Sequence, residues 1–302
     1  MSTVTDASSG TQFAGSIGEL NEIRSRDPQR INQLLRARRK RELFGLDGKL
    51  MIIACDHPAR GALSAAGNPT AMASRTDLLD RLVTALSRPG VDGLLATADI
   101  AEDLLMLGAL EEKLVFASLN RGGLQGSVFE MDDRNTGYDV PGTIEAGFEG
   151  AKVLLRIDLE DLGTVATLER CGQAVTELNR AKLIAMVEPF MSSRFGGKIV
   201  NDLSADAVIK SVHIAQGLGA SSAYTWLKLP VVHEMERVMD ATTLPTLLLG
   251  GDPDSAPDET YAAWQAALAL PSVRGLVVGR TMLYPADDDV AKAVDTAISI
   301  VR

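Results

Sequence analysis

The chain has 302 residues, of which 46% are hydrophobic and 23% charged, and its formal net charge is −10. That length and mix suit one large buried core or two modest ones, and the acidic balance argues against a general nucleic-acid binder. An anionic small molecule remains compatible with it, because a few local groups hold a phosphate against the global sign.

The opening residues 1–10 are small and polar and read as disordered. The first twenty lack the basic start and apolar core of a secretory segment, and no apolar run reaches the roughly 18 residues of a membrane span. Cys55 and Cys171 form no C-x-x-C pair, so they read as reduced thiols of a cytoplasmic protein, Cys55 simply as a small buried residue. Residues 25–43 place Ile31, Leu34, Leu35 and Leu43 on a patchy helical face beside a basic cluster, Arg36, Arg38, Arg39, Lys40 and Arg41. A solvated helix packed on the main domain accounts for this better than an anion or partner site. Residues 1–45 are therefore expected to be an N-terminal extension, disordered and then helical, ahead of a main domain over 46–302.

From residue 49 short apolar runs alternate with longer helix-like segments. The runs are "LMIIACDH" (50–57), "VDGLLATAD" (91–99), "LVFASLN" (114–120), "KVLLRID" (152–158), "LIAMVEP" (183–189), "SAYTWLKLP" (222–230), "PTLLLGGD" (245–252) and "RGLVVGR" (274–280). Continuous apolar runs suit parallel strands buried on both faces, and their alternation with helices implies βα units. Eight such runs over about 250 residues fit a (β/α)8 barrel, an α/β fold. An open doubly wound sheet is the rival, but its Gly-rich turn is missing: the first run ends in "CDHPARG". Residues 121–145 are longer than a usual connection and read as an active-site loop or an irregular helix start.

Chemistry in such barrels occurs at the carboxyl ends of the strands. Polar residues end most runs: Asp56 and His57, Ser118 with Asn120 and Arg121, Arg156 and Asp158, Glu188, Lys228, Gly250–Gly251–Asp252, and Gly279–Arg280. Strand alternation puts Tyr224, Trp226 and Lys228 on one face and the aliphatic Leu227 and Leu229 on the other, so Lys228 should point into the barrel mouth. The same parity aligns Ile52, Ala54 and Asp56; Ile184, Met186 and Glu188; and Leu154, Arg156 and Asp158, with Lys152 lower on that face. A lysine in a partly desolvated mouth, near another cation, becomes a usable amine nucleophile that condenses with a ketone or aldehyde. Asp56 and Glu188 are the candidates for proton transfer, or equally for ion-pair partners of Lys228 and Arg156. Gly250, Gly251 and Gly279 allow close backbone approach to an anion, and Arg280 adds a charged fork, so phosphate, sulfonate or carboxylate would fit there. Of His57, His213 and His233 only His57 ends a strand, so no metal site is expected.

These residues resemble a known group. "MIIACDH", "KVLLRID", "MVEPF", "TWLKLP", "LLLGGD" and "LVVGR" are similar to the barrel strands of class I aldolases of the tagatose-bisphosphate and archaeal fructose-bisphosphate type, over about residues 46–302. Within that group the chain resembles the actinobacterial barrel aldolases of myo-inositol catabolism. The resemblance implies that Lys228 is the Schiff-base lysine, that Asp56 meets substrate hydroxyls or moves protons, and that Gly250, Gly251, Gly279 and Arg280 hold a terminal anion. Relatives place a tyrosine near the end of the fourth strand as a proton donor; here Arg156 occupies that region. The implied reaction is retro-aldol cleavage of 6-phospho-5-dehydro-2-deoxy-D-gluconate to dihydroxyacetone phosphate and malonate semialdehyde, without a cofactor. Arg156, Asn120 and Arg194 are the expected contacts to the rest of the substrate, with the two arginines at its carboxylate. A sulfosugar-phosphate aldolase or transaldolase, and a non-catalytic barrel that binds a sugar phosphate, are the alternatives. Barrels of this kind often assemble, and a homo-oligomer is expected.

Overall fold

The computed structural model describes residues 17–250 and 257–302; Gly251 and Asp252, and the opening segment read as disordered, lie outside these residues. Its strands are β1 (Leu50–Cys55), β2 (Gly93–Ala96), β3 (Leu114–Ser118), β4 (Gly150–Ile157), β5 (Ile184–Phe195), β6 (Lys198–Asn201), β7 (Thr225–Leu229), β8 (Thr246–Leu249) and β9 (Val273–Val278). The sheet runs β4-β3-β2-β1-β9-β8-β7-β5, and a β4–β5 pairing closes it. All eight pairings around the ring are parallel. The chain is thus the expected eight-stranded barrel, and the sixth run is β7 because β6 is an addition to the ring. In this circle β4 lies four strands from β9 by either path, so the two face each other across the mouth.

The apolar runs are strands because each is buried on both sides. Leu50, Ile52, Ala54, Leu95, Phe116, Ile184, Met186, Trp226, Leu247 and Val277 form the barrel interior. The alternate residues, among them Met51, Ile53, Leu227 and Leu229, join the cluster shared with the helix layer. The parity expected for Ile52, Ala54, Met186 and Trp226 is therefore the parity observed. Helices Arg75–Ser87, Gly163–Arg180, Ala205–Gln216 and Pro257–Leu268 coincide closely with the helix-like segments between the runs. Ser74 and Ser204 start two of them by accepting a hydrogen bond from a backbone N–H of the first turn.

Two elements depart from expectation. The N-terminal extension forms helices Ile17–Arg26 and Gln29–Ala37, and the second ends before most of the basic cluster. The cluster is not one solvated helix face, because its members are drawn off singly by acids of the barrel. Arg38 is buried against Glu149, 3.1 Å, and Arg41 meets Asp92, 2.6 Å. Asp92 also takes Arg302, 2.7 Å, and the backbone N–H of Met51, 2.7 Å. This draws residues 38–44 under the barrel, where Leu43 packs on the interior and Phe44 stacks on Trp226 at 5.7 Å.

The second departure is that β5 continues past Glu188 and turns back as β6, an antiparallel hairpin pairing Ser192 with Asn201 and Phe195 with Lys198. Its turn is Gly196–Gly197, both at positive φ, which suits a tight hairpin connection. Loop 121–139 runs without regular structure to the helix Val140–Glu145. No helix of the described residues is long and apolar enough to cross a membrane.

Candidate active site

Five charged side chains meet in the mouth. Lys228 on β7 donates from Nζ to Glu188 Oε1 on β5, 2.9 Å. Lys152 on β4 bridges the other carboxylate oxygen, 2.9 Å, and Asp56 Oδ2 beyond the end of β1, 2.8 Å. Asp56 also pairs with Arg121 and accepts from Ser118 Oγ, 2.9 Å. Arg121 Nε donates to the same hydroxyl, 3.1 Å. The chain of contacts is Lys228–Glu188–Lys152–Asp56–Arg121, three cations on two anions, and all five residues are buried. Ammonium groups are tolerated at this depth because each has a carboxylate within hydrogen-bond distance. Burial alone would push the Glu188 carboxyl up; the two ammonium groups overcome this and hold it well below the usual carboxylate range.

Two adjoining cavities open on this chain. The larger, about 440 Å³, is lined by Asp56, Lys152, Arg121, Glu188, Arg156, Arg280 and Gly250, among others. The smaller, about 70 Å³, is lined by Lys228, Glu188, Gly250, Gly279, Arg280 and Thr281. Lys228 thus faces the glycine ends of β8 and β9, whereas Lys152 faces the larger space. His57 borders both.

The expected residues separate into three groups. Lys228, Glu188, Asp56, Gly250, Gly279 and Arg280 come together around these cavities. Arg156 lines the larger one across the mouth, where its guanidinium is engaged by Glu130 Oε1, 2.5 Å, and by the Glu130 carbonyl, 3.0 Å. Its Nε is buried without a hydrogen-bond partner. Asn120 and Arg194 stand apart from the cavity lining. The Asn120 side chain is spent on both backbone groups of Leu154, extending the β3–β4 pairing by hydrogen bonds of 2.5 and 2.8 Å. Arg194, on the hairpin, reaches the carbonyls of Ser127 and Val128 and lies 3.7 Å from Asp161, so it ties hairpin to loop.

Sequence reasoning missed Lys152, Arg60, Glu130 and Asp133 as parts of the site. Lys152 had a signal: a cation on the inward face of a fully buried strand must have a partner inside. Arg60 binds Asp133 and the carbonyls of Gly123 and Asn120, 2.6 and 2.9 Å. With the Arg156–Glu130 pair it pins loop 121–135 as one wall of the site. No spacing rule links these distant positions.

The two glycines differ in tolerance. A Cβ at Gly279 would lie 2.4 Å from the Ala54 carbonyl oxygen, whereas one at Gly250 would come no nearer than 3.4 Å, to the side-chain Oγ1 of Thr281. Gly279→Ala is expected to destabilise the barrel by about 1–3 kcal/mol, since backbone must move. Gly250→Ala is expected to melt within about 2 °C of the parent. Thermal melts of the two variants check both outcomes.

The fold is shared with solved aldolases. A structure of a Schiff-base-forming fructose-1,6-bisphosphate aldolase superposes with a TM-score of 0.61 at 18% identity, covering 90% of this chain and 100% of the other. An archaeal fructose-1,6-bisphosphate aldolase, solved with its catalytic lysine covalently bound to the carbinolamine intermediate, gives 0.62 at 17% identity, over 90% and 99%. At such identities the likeness is one of fold. The crystal structure of Cgl0159 from Corynebacterium glutamicum (Brevibacterium flavum) is far nearer: TM-score 0.92, 58% identity, 94% of this chain and 96% of that one. No curated protein matches the chain. The Cgl0159-like family model matches residues 48–298, the whole barrel but its last helical residues, and the chain belongs to the Cgl0159-like family.

Proposed function

We propose that this protein is a class I aldolase that cleaves a phosphorylated keto sugar acid through a Schiff base on Lys228. The substrate we assign is 6-phospho-5-dehydro-2-deoxy-D-gluconate, with dihydroxyacetone phosphate and malonate semialdehyde as products, the reaction expected of inositol-catabolism aldolases. One observation carries the reading: a buried amine, Lys228, opens on a small cavity rimmed by Gly250, Gly279 and Arg280. A phosphate held at those residues brings the neighbouring carbonyl carbon to the amine.

The amine adds to the carbonyl, water leaves, and an iminium forms. Its nitrogen accepts the electron pair released when the carbon–carbon bond breaks, so the aldehyde departs and an enamine remains. Protonation of the enamine carbon and hydrolysis then free dihydroxyacetone phosphate and restore the amine. Arg121, Arg156 and Arg280, which line the larger cavity, favour a substrate with two anionic groups despite the acidic chain. Asp56, paired with Lys152 and Arg121, accepts a hydrogen bond from a substrate hydroxyl in this reading. Arg156, on the strand opposite β9, takes the far carboxylate, and Arg194 acts by holding the loop that carries Glu130.

The carboxylate assignment is open to direct test. Arg156→Ala is expected to raise KM for the acid substrate about tenfold or more while leaving KM for a matching neutral ketose phosphate within about twofold. Arg194→Ala is expected to raise the same KM more weakly. Equal losses on acid and neutral substrates would reduce Arg156 to a support for Glu130, and unchanged kinetics would remove both arginines. A panel of keto-acid, ketose-phosphate and sulfo-ketose substrates separates this reading from a sulfosugar-phosphate aldolase or transaldolase.

A further inference from the structure

Cleavage by this route needs a group that takes a proton from the hydroxyl of the departing carbon and supplies one to the enamine carbon. The carboxylates of the mouth suit that task badly. Glu188 is held by two ammonium groups, and Asp56 by Lys152, Arg121 and Ser118. A carboxylate so stabilised in its ionised form is a weak base. Among the described residues no tyrosine lines either cavity.

We propose that His57 is the proton carrier of the aldol cleavage: it lies beside Asp56 at the end of β1, and its ring borders both the cavity of Lys228 and the larger one beside it. The inference rests on the Schiff-base reading and deepens it. The side chain is 31% exposed, enough to meet substrate. Its Nδ1 is buried without a hydrogen-bond partner, and Asp56 Oδ1 lies 3.8 Å away. That anion favours the tautomer with the hydrogen on Nδ1, which leaves the Nε2 lone pair for the substrate. Nε2 takes the hydroxyl proton as the carbon–carbon bond breaks, and the oxygen's electrons form the aldehyde carbonyl. The bond's own pair passes into the iminium, giving the enamine. The imidazolium then returns the proton to the enamine carbon, so no outside acid or base is consumed.

The groups facing the ring are Arg280, Lys228, Glu188, Lys152 and Asp56. Burial, then Arg280 and Lys228, lower the imidazole pKa well below its ordinary 6.5, against the pull of Glu188. That shift weakens the ring as a base but keeps it unprotonated with a lone pair free for the substrate, whereas both carboxylates are already engaged by cations.

The test uses dihydroxyacetone phosphate alone, in D2O, with the full chain. The wild type is expected to exchange one carbon-bound hydrogen through the enamine, at a rate that holds down to pH 6.5 and falls only below it. His57→Gln and His57→Asn are expected to slow the exchange by about 10²–10⁴-fold and to lose this acid limb, while borohydride still traps the phosphate on Lys228 as in the wild type. Exchange within about threefold of wild type in adduct-forming variants would overturn the role of His57 and leave the aldolase reading standing. Variants that lose adduct and exchange together would also overturn it, since the ring would then be assembling the site. A wild type that forms no adduct would overturn the Schiff-base reading itself, and this proposal with it.

Discussion

Lys228→Met should lower turnover by about 10⁴-fold or more, because the amine that carries the intermediate is gone and no other group replaces it. Methionine matches the stem of lysine in length and suits a residue only 4% exposed, so the barrel should persist. Glu188 keeps Lys152 as a partner at 2.9 Å in this variant. Lys228→Arg is the sharper control: it keeps the cation beside Glu188 and removes the nucleophile, and it too should be inactive while still binding phosphate. Lys152→Met should behave differently. It lines the larger cavity and not the smaller one that Lys228 shares with Gly279, so the variant should still form the lysine adduct even though cleavage slows. Steady-state rates and adduct formation in the three variants decide which of two buried amines is the nucleophile.

Glu188→Gln should cost about 3–5 kcal/mol at pH 7, because it leaves two buried ammonium groups facing one neutral amide. For a domain of this size that corresponds to a fall in Tm on the order of 10 °C. The pH dependence has a definite sign. The Glu188 carboxyl is held below its ordinary 4.5 in the folded protein, so the folded state binds fewer protons here than the unfolded chain. Its stabilising contribution is complete above pH 4.5 and is lost as the pH falls below that value. The Tm gap between wild type and Glu188→Gln should therefore be constant from pH 8 to about 5 and shrink on further acidification. A gap that stays fixed down to pH 3 would show that the carboxylate is not the anion holding these lysines. Activity should fall as well, since the variant also loses the anion that positions the Lys228 amine.

The barrel was legible because the ring strands are buried on both faces within the barrel, which leaves a continuous apolar run such as "MIIAC" or "TLLL" with a charge or glycine at its end. Lys228, Glu188 and Asp56 were legible for the same reason, as polar residues on the inward parity of such runs. The hairpin of β5 and β6 was missed because "MSSRFGGKIV" is polar and half exposed, although its Gly–Gly between two short β-like stretches was a usable turn signal. The basic cluster misled because helical spacing says nothing about acids distant in sequence: Glu149 and Asp92 decide where Arg38 and Arg41 go. Asn120 ends a strand as a ligand-binding residue would, yet its amide is consumed by Leu154. Strand parity tells which way a side chain points and cannot tell who meets it there.

Borohydride reduction in the presence of dihydroxyacetone phosphate, followed by peptide mass analysis, tests the central claim most directly. The account predicts one reduced phosphotriose adduct per chain, on the peptide containing Lys228, absent in Lys228→Met and present in Lys152→Met. An adduct on Lys152, or none under conditions where the phosphate is bound, would contradict it.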